Sequence, residues 1–230
     1  MVSGDFYWWA NVENHTVITA VDCTGHGVPG AFMSMLGISF LREIVMKEYI
    51  THPGVILRKL RKEIVKSLKQ KNELGATRDG MDMALISINH DTNIVQFAGA
   101  YNPIYIVTKH IPKMEDTKLH IYNLDNSEFK LIEIKPDKMP IAIFFKMDMF
   151  TNHEIPLQKG DQIYMFSDGF VDQFGGNDNK RFMYGAFREL LLRNANETMN
   201  VQKKIIESTF KKWKDKHDQI DDVLVLGIKI

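Results

Sequence analysis

Residues 20–30 read Ala20-Val21-Asp22-Cys23-Thr24-Gly25-His26-Gly27-Val28-Pro29-Gly30. An apolar run ends in a carboxylate, passes through a loop of glycines around a histidine, and meets a proline suited to the first turn of a helix. The stretch predicts strand, loop and helix, with Asp22 at the mouth of the strand. A carboxylate there caps a helix, pairs with a base or holds a metal, and its neighbours in the fold decide which.

Upstream, residues 4–10 and 16–22 are rich in aromatic and β-branched types, and Asn11-Val12-Glu13-Asn14-His15 between them is turn-like. If this hairpin turns about Glu13-Asn14, paired residue numbers sum to 27 and Asp5 lies opposite Asp22. Directly opposed Cβ atoms are about 4.5–5.5 Å apart, where two carboxylates repel unless a proton or a cation separates them. Bridging carboxylates of a two-metal centre, whose cations stand about 3.5–4 Å apart, need such a pair. A slip of one residue would instead leave two ordinary aspartates near a turn.

Downstream, the apolar spacing from Pro29 to about Ile50 predicts a long, mostly buried helix. A second, amphipathic helix from about Gly54 to Gln70 carries a basic face that reads as solvated. Strands are expected over 81–90 and 94–100, joined at Asp91-Thr92-Asn93, and over 104–108, with short pieces near 119–123, 129–134 and 150–155, then 161–167. Helices follow at about 181–194 and 198–217. Val223-Leu224-Val225-Leu226-Gly227-Ile228 is apolar at successive positions and predicts a central strand. Strands interspersed with pairs of helices define an α+β chain, two mostly antiparallel sheets faced by helices.

The chain has 230 residues, 44% hydrophobic and 25% charged, with no linker-like tract, so one domain spanning 1–230 is expected. Lysine plus arginine equals aspartate plus glutamate at 29 each, and no net field favours nucleic acid or an anionic membrane. The single cysteine, Cys23, rules out an intramolecular disulfide, and with thirteen methionines it fits a reducing compartment, the cytoplasm. No apolar run is expected to reach the roughly 18 residues of a membrane span, and the N-terminus lacks the basic and apolar regions of a signal peptide. The sequence opens already inside a strand, so it reads as part of a longer chain.

Two more strand ends carry acids. Asp168 in Ser167-Asp168-Gly169 repeats the setting of Asp22, and Asp172 lies one helical turn further on; Asp168 is equally placed to be an N-cap. Asp221-Asp222 opens the last strand, where alternation lets only one of the two reach a shared centre. Acids at four strand ends, without a matching set of buried bases, favour oxygen-ligated Mg²⁺ or Mn²⁺ over zinc. His26 is open to three readings: a metal ligand, a general acid for a leaving alkoxide, or a loop histidine bonded to backbone. Cys23, with no base placed near it, reads as a packed small hydrophobe rather than a nucleophile.

Gly4-Asp5-Phe6-Tyr7, Asp22-Cys23-Thr24-Gly25-His26-Gly27, Gly80-Met81-Asp82, Phe97-Ala98-Gly99-Ala100, Ser167-Asp168-Gly169 and Gln219-Ile220-Asp221-Asp222 occur in that order. The chain resembles the metal-dependent protein phosphatase (type 2C-like) family, in the bacterial branch typified by stage II sporulation protein E and the RsbU-like stress phosphatases. The resemblance implies an α-β-β-α sandwich and a phosphatase for phosphoserine or phosphothreonine proteins using two Mn²⁺ or Mg²⁺ ions. It further implies Asp5, Asp22, the carbonyl of Cys23, Asp168 and Asp221 as metal ligands. Asp172 matches a third metal position, which Asp79 or Asp82 also serves, and His26 matches a general acid. A water bridging the cations would attack phosphorus in line with the leaving oxygen.

The same resemblance implies an upstream sensor domain in the same chain, an opening strand preceding residue 1, and a phosphorylated anti-sigma-factor antagonist, STAS-like, as partner. Any membrane anchor would then lie in regions upstream. The 29–50 helix is open to pairing two copies as a homodimer, to relaying a signal, or to core packing alone. Two rivals are a catalytically inactive scaffold of the same fold and a nucleotide-binding or phosphotransfer module. The second lacks the lysine that a phosphate loop over Gly25–Gly30 would need.

Overall fold

The computed structural model describes residues 2–25, 27–71, 79–114, 119–176 and 178–230. Strands β1 (Phe6–Val12) and β2 (His15–Cys23) form the expected hairpin, with Glu13 in the left-handed region at φ 51°. Phe6 pairs with Val21 and Val12 with His15, so the register is the predicted one and Asp5, one residue before β1, faces Asp22. On its other side β2 pairs with β3 (Met81–Asn89), and here Asp22 stands opposite Asp82. With β4 (Ile94–Ala100) and, later in the chain, β8 (His153–Pro156), the first sheet has the order β1-β2-β3-β4-β8.

Alternation sorts the side chains of this sheet into two layers. Val17, Val21 and Cys23 of β2, with Met83 and Leu85 of β3, face α1 (Val28–Leu41) and α2 (Pro53–Ser67). Ile18, Ala20, Ala84 and Ile86 face the second sheet. By the same parity Asp5, Asp22 and Asp82 belong to the inner face, at the end of the sheet where the strands give way to loops. Helix α2 shows why its sequence docks. Ile56, Leu57, Leu60 and Ile64 fall on one side and are fully buried, each contributing about 1.5–3 kcal/mol.

The second sheet contains β5 (Ile104–Thr108), β6 (His120–Asn123), β7 (Lys130–Ile134), β9 (Gln162–Phe166) and β12 (Val225–Lys229), in the order β12-β9-β5-β7-β6. Ile106, Ile132, Ile163 and Met165 close the inter-sheet core. Tyr105, Leu131, Tyr164 and Phe166 lie beneath α4 (Met183–Arg193) and α5 (Met199–Lys214). Between β9 and α4 come the short helix α3 (Gly169–Asp172) and a ribbon of β10 (Phe174–Gly175) and β11 (Lys180–Arg181). The layers run helix, sheet, sheet, helix, as the α+β reading requires.

Three expectations are corrected. The last strand, β12, is an edge strand: among the described residues it bonds only to β9, and Val225, Leu226 and Ile228 are half-buried. Its unbroken apolarity reflects two covered faces, the inter-sheet core and α5, and apolarity says nothing about whether both edges are paired. The helix from Pro29 is not mostly buried. Gly30, Met33, Gly37 and Leu41 point inward, while Phe32 and Met35 are 63% and 67% exposed. From Arg42 to Lys47 it continues with π-helical winding. Finally, Val28–Lys47 is long and apolar enough by length and mean hydropathy to cross a membrane, although here it packs against α2 as one of the outer layers.

Candidate metal centre

Five loops and strand ends bring the acids together. Asp22, one residue before the end of β2, pairs with Asp82 of β3, and Asp5, just before β1, adds its charge to the same carboxylate. The second sheet supplies Asp168 after β9 and Asp221-Asp222 before β12. Asp221 and Asp222 precede the strand rather than begin it, since β12 starts at Val225. The alternation that would have separated them therefore does not apply, and both approach the cluster. The Asp222 carboxylate accepts the Gly4 N–H at 2.7 Å, and the Asp221 carboxylate accepts the Asp222 N–H at 2.8 Å.

Close backbone approach makes this geometry possible. A Cβ on Gly169 would stand 2.0 Å from the Asp222 carbonyl oxygen, so only glycine lets the 221–222 segment lie against the start of α3. A Cβ on Gly30 would stand 2.4 Å from the Gly25 carbonyl oxygen, which ties the loop after Asp22 to the beginning of α1. The hydroxyl of Ser34 donates to the carbonyls of Gly4 at 2.7 Å and Gly30 at 2.9 Å, joining the same pieces. Thr24 clasps Gly80, its N–H donating to the Gly80 carbonyl at 3.0 Å and its hydroxyl accepting the Gly80 N–H at 3.1 Å.

Crowding of negative charge is the dominant electrostatic fact. Burial, and then the charges of Asp5, Asp168, Asp221 and Asp82, push the Asp22 carboxyl up to about 8. Burial and Asp168 push Asp82 to about 7. Asp5 rises to about 6, chiefly by burial and against a hydrogen bond from Ser167, with Asp222, Asp221 and Asp168 adding to the rise. Asp168 is raised by burial and by Asp221 and Asp172, opposed by Arg181. One oxygen of Asp5, Oδ2, is buried without a hydrogen-bond partner. An orphaned carboxylate oxygen among like charges is costly unless a cation completes it.

The all-oxygen donor set suits a hard divalent cation. Among the described residues, no three of the His, Cys, Asp and Glu side chains converge into a ready-made metal shell. Charge, donor type and the orphaned oxygen still fit such a cation.

The other candidates are distributed as follows. Asp168 holds the N-cap position of α3 but makes no cap hydrogen bond, which leaves its carboxylate to the cluster. Asp172 is on the same side and is ion-paired with Arg181 at 3.1 Å, so a cation there would compete with the guanidinium. Asp79 precedes Gly80, and its backbone carbonyl accepts from Gln70. The Cys23 thiol is buried in the helix-side core and pushed up to about 12 by burial, in keeping with a packed hydrophobe. His26 lies outside the described residues. Reading the sequence missed the register that sets Asp82 against Asp22, the hydroxyl of Ser167, and Tyr184, whose phenol is raised by burial and then by Asp168 and Asp172. Only the pairing of β2 with β3 could have shown the first.

The sandwich superposes on solved PP2C-type phosphatase domains. The SiaA PP2C domain of Pseudomonas aeruginosa superposes with a TM-score of 0.81 at 26% identity, over 100% of this chain and 81% of that one. The PP2C phosphatase domain of SpoIIE from Bacillus subtilis, with a fragment of its regulatory domain, gives 0.67 at 16% identity over 100% of this chain. The RsbU and RsbW domains of Rv1364c from Mycobacterium tuberculosis give 0.70 at 17% over 99% of this chain. The chain spans 59% and 56% of those last two structures. No curated protein sequence matches it. The family model of stage II sporulation protein E (SpoIIE) matches residues 13–230, and the chain belongs to that family.

Proposed function

We propose that this domain is a metal-dependent protein serine/threonine phosphatase acting in bacterial signalling on a phosphorylated partner of the anti-sigma-antagonist, STAS-like kind. The observation that carries the reading is the buried, unpartnered Oδ2 of Asp5 within a cluster where the charges of Asp5, Asp168 and Asp221 raise Asp22, a concentration of carboxylates that divalent cations would offset. Two Mn²⁺ or Mg²⁺ ions, when bound, supply the acidification of water and the charge that offsets a phosphate dianion. Asp5, Asp22, the Cys23 carbonyl, Asp168 and Asp221 would hold them, with Asp22 central because the charges of both Asp5 and Asp82 act on it. Asp82 would serve a third ion, whereas the carboxylate of Asp172 is engaged by Arg181, and we assign His26 the proton delivered to the leaving serine oxygen. No serine or cysteine nucleophile is required.

The test is hydrolysis of p-nitrophenyl phosphate and of a phosphoserine peptide with Mn²⁺ or Mg²⁺. Turnover should vanish with chelator and in Asp22→Ala and Asp168→Ala. Full turnover by either variant would refute the reading.

The domain belongs, in this proposal, to a longer cytoplasmic chain with a sensor upstream and one further strand before residue 1. Support comes from the free edge of β12. A groove of about 490 Å³ there is lined by Tyr7, Tyr164, Ile206, Phe210, Val225 and Leu226 among others. Tyr7 and Trp9 at the matching edge of the first sheet are 58% and 59% exposed. A strand on that edge would cover both.

A further inference from the structure

The acid cluster must admit a phosphate dianion, and among the described residues Arg181 is a cation whose charge acts on it, through Asp168. This residue ends β11, on a ribbon that is held rigidly. Gln173, fully buried, donates from Nε2 to the Asp218 carbonyl at 2.8 Å, and its own carbonyl accepts the Trp213 indole N–H at 2.9 Å and the Phe182 N–H at 3.1 Å. Gly176 donates to the Trp213 carbonyl at 3.0 Å. Phe174 pairs with Arg181 across the ribbon, and the guanidinium lies over its ring, 5.6 Å from the centroid.

One edge of that guanidinium is occupied. Its Nη1 donates to Asp172 Oδ2 at 3.1 Å. An arginine has five N–H donors, and among the described residues the other four meet no acceptor. The side chain is half-exposed, so the pair with Asp172 contributes little to stability, as half-exposed ion pairs do, and its value lies in orientation. Asp172 is one turn beyond Asp168, and Arg181 is near enough for its charge to act on the Asp168 carboxylate. A planar fork fixed at one edge, stacked on an aromatic ring and open at the other edge beside a metal-binding cluster is suited to grip two oxygens of a phosphate.

We propose that Arg181 is the phosphate-anchoring residue of this site, oriented by Asp172 and Phe174, and that its free edge donates to the non-bridging oxygens of the substrate phosphate and of the phosphate product. The inference rests on reading the acid cluster as a phosphatase centre.

The test compares wild type, Arg181→Ala, Arg181→Lys and, as a control on the same strand, Lys180→Ala, each checked for folding by thermal melting. With Mn²⁺ and p-nitrophenyl phosphate, Arg181→Ala should raise KM and the inhibition constant of inorganic phosphate about 10- to 100-fold, the loss expected of charge-assisted hydrogen bonds. Arg181→Lys should recover part of this, and Lys180→Ala should match wild type. Calorimetric titration of Mn²⁺-loaded protein with inorganic phosphate supplies a readout that needs no turnover. If wild type hydrolyses nothing, the phosphatase reading fails while weaker phosphate binding by Arg181→Ala still upholds the anchor. An unchanged phosphate constant in Arg181→Ala overturns the proposal. So does a rise in bound Mn²⁺ per chain without a change in phosphate affinity, because Arg181 would then serve only to shield Asp172.

Discussion

Asp22 on β2 and Asp82 on β3 stand directly opposite each other across an antiparallel pair, two carboxylates where a sheet ordinarily places complementary groups. Asp5, just before β1, adds its charge to Asp22. Such crowding works against folding unless protons or cations neutralise it, so the properties of the free protein report on the site as directly as its activity.

The first prediction concerns pH. Asp22 is raised to about 8, Asp82 to about 7 and Asp5 to about 6 from an ordinary 3.8, so between these limits the folded chain holds more protons than the unfolded one. Stability is then fully present at acid pH and falls as pH rises through the folded values. Thermal melts in chelator should show Tm decreasing from about pH 5 to pH 8, and excess Mg²⁺ should flatten that decline because the cation replaces the lost protons. A Tm that rises with pH in chelator would contradict the carboxylate crowding.

Replacing the central carboxylate separates stability from function. Asp22→Asn removes a buried charge surrounded by like charges, and this variant without metal should melt higher than wild type, with a shallower pH slope. The same change should lower Mn²⁺-dependent turnover by more than about 100-fold, since it deletes a central donor of the centre. Calorimetry in chelator and a phosphatase assay check the two halves independently.

Gly169→Ala tests the backbone contact behind the cluster. The added methyl would meet the Asp222 carbonyl oxygen at 2.0 Å, and relief requires the 221–222 segment to move. A cost of about 1–3 kcal/mol is expected, as for other overpacked sites. Mn²⁺ affinity should weaken at the same time. Loss of stability with unchanged metal affinity would show that Asp221 is not held by this contact.

The free edge of β12 yields a fourth prediction. Protein extended by its native upstream residues should melt at higher temperature and protect the β12 amides, Leu226 and Ile228 among them, from hydrogen exchange. Equal protection in both forms would leave the edge without the proposed strand.

Much of this protein was legible in one dimension. The hairpin register follows from a two-residue turn, because pairing across a tight turn leaves no freedom, and it set Asp5 against Asp22 correctly. The α2 face, the β3–β4 hairpin and Asp168 after β9 follow from periodicity and local punctuation for the same reason: all are decided by residues a few positions apart. Tertiary structure alone decided that Asp82 meets Asp22, that Arg181 holds Asp172, that Phe32 and Met35 lie outside, and that β12 is an edge. These depend on which elements, remote in the chain, lie side by side. Apolarity and alternation specify the faces a segment buries, whereas its neighbours are chosen by the packing of all the layers together.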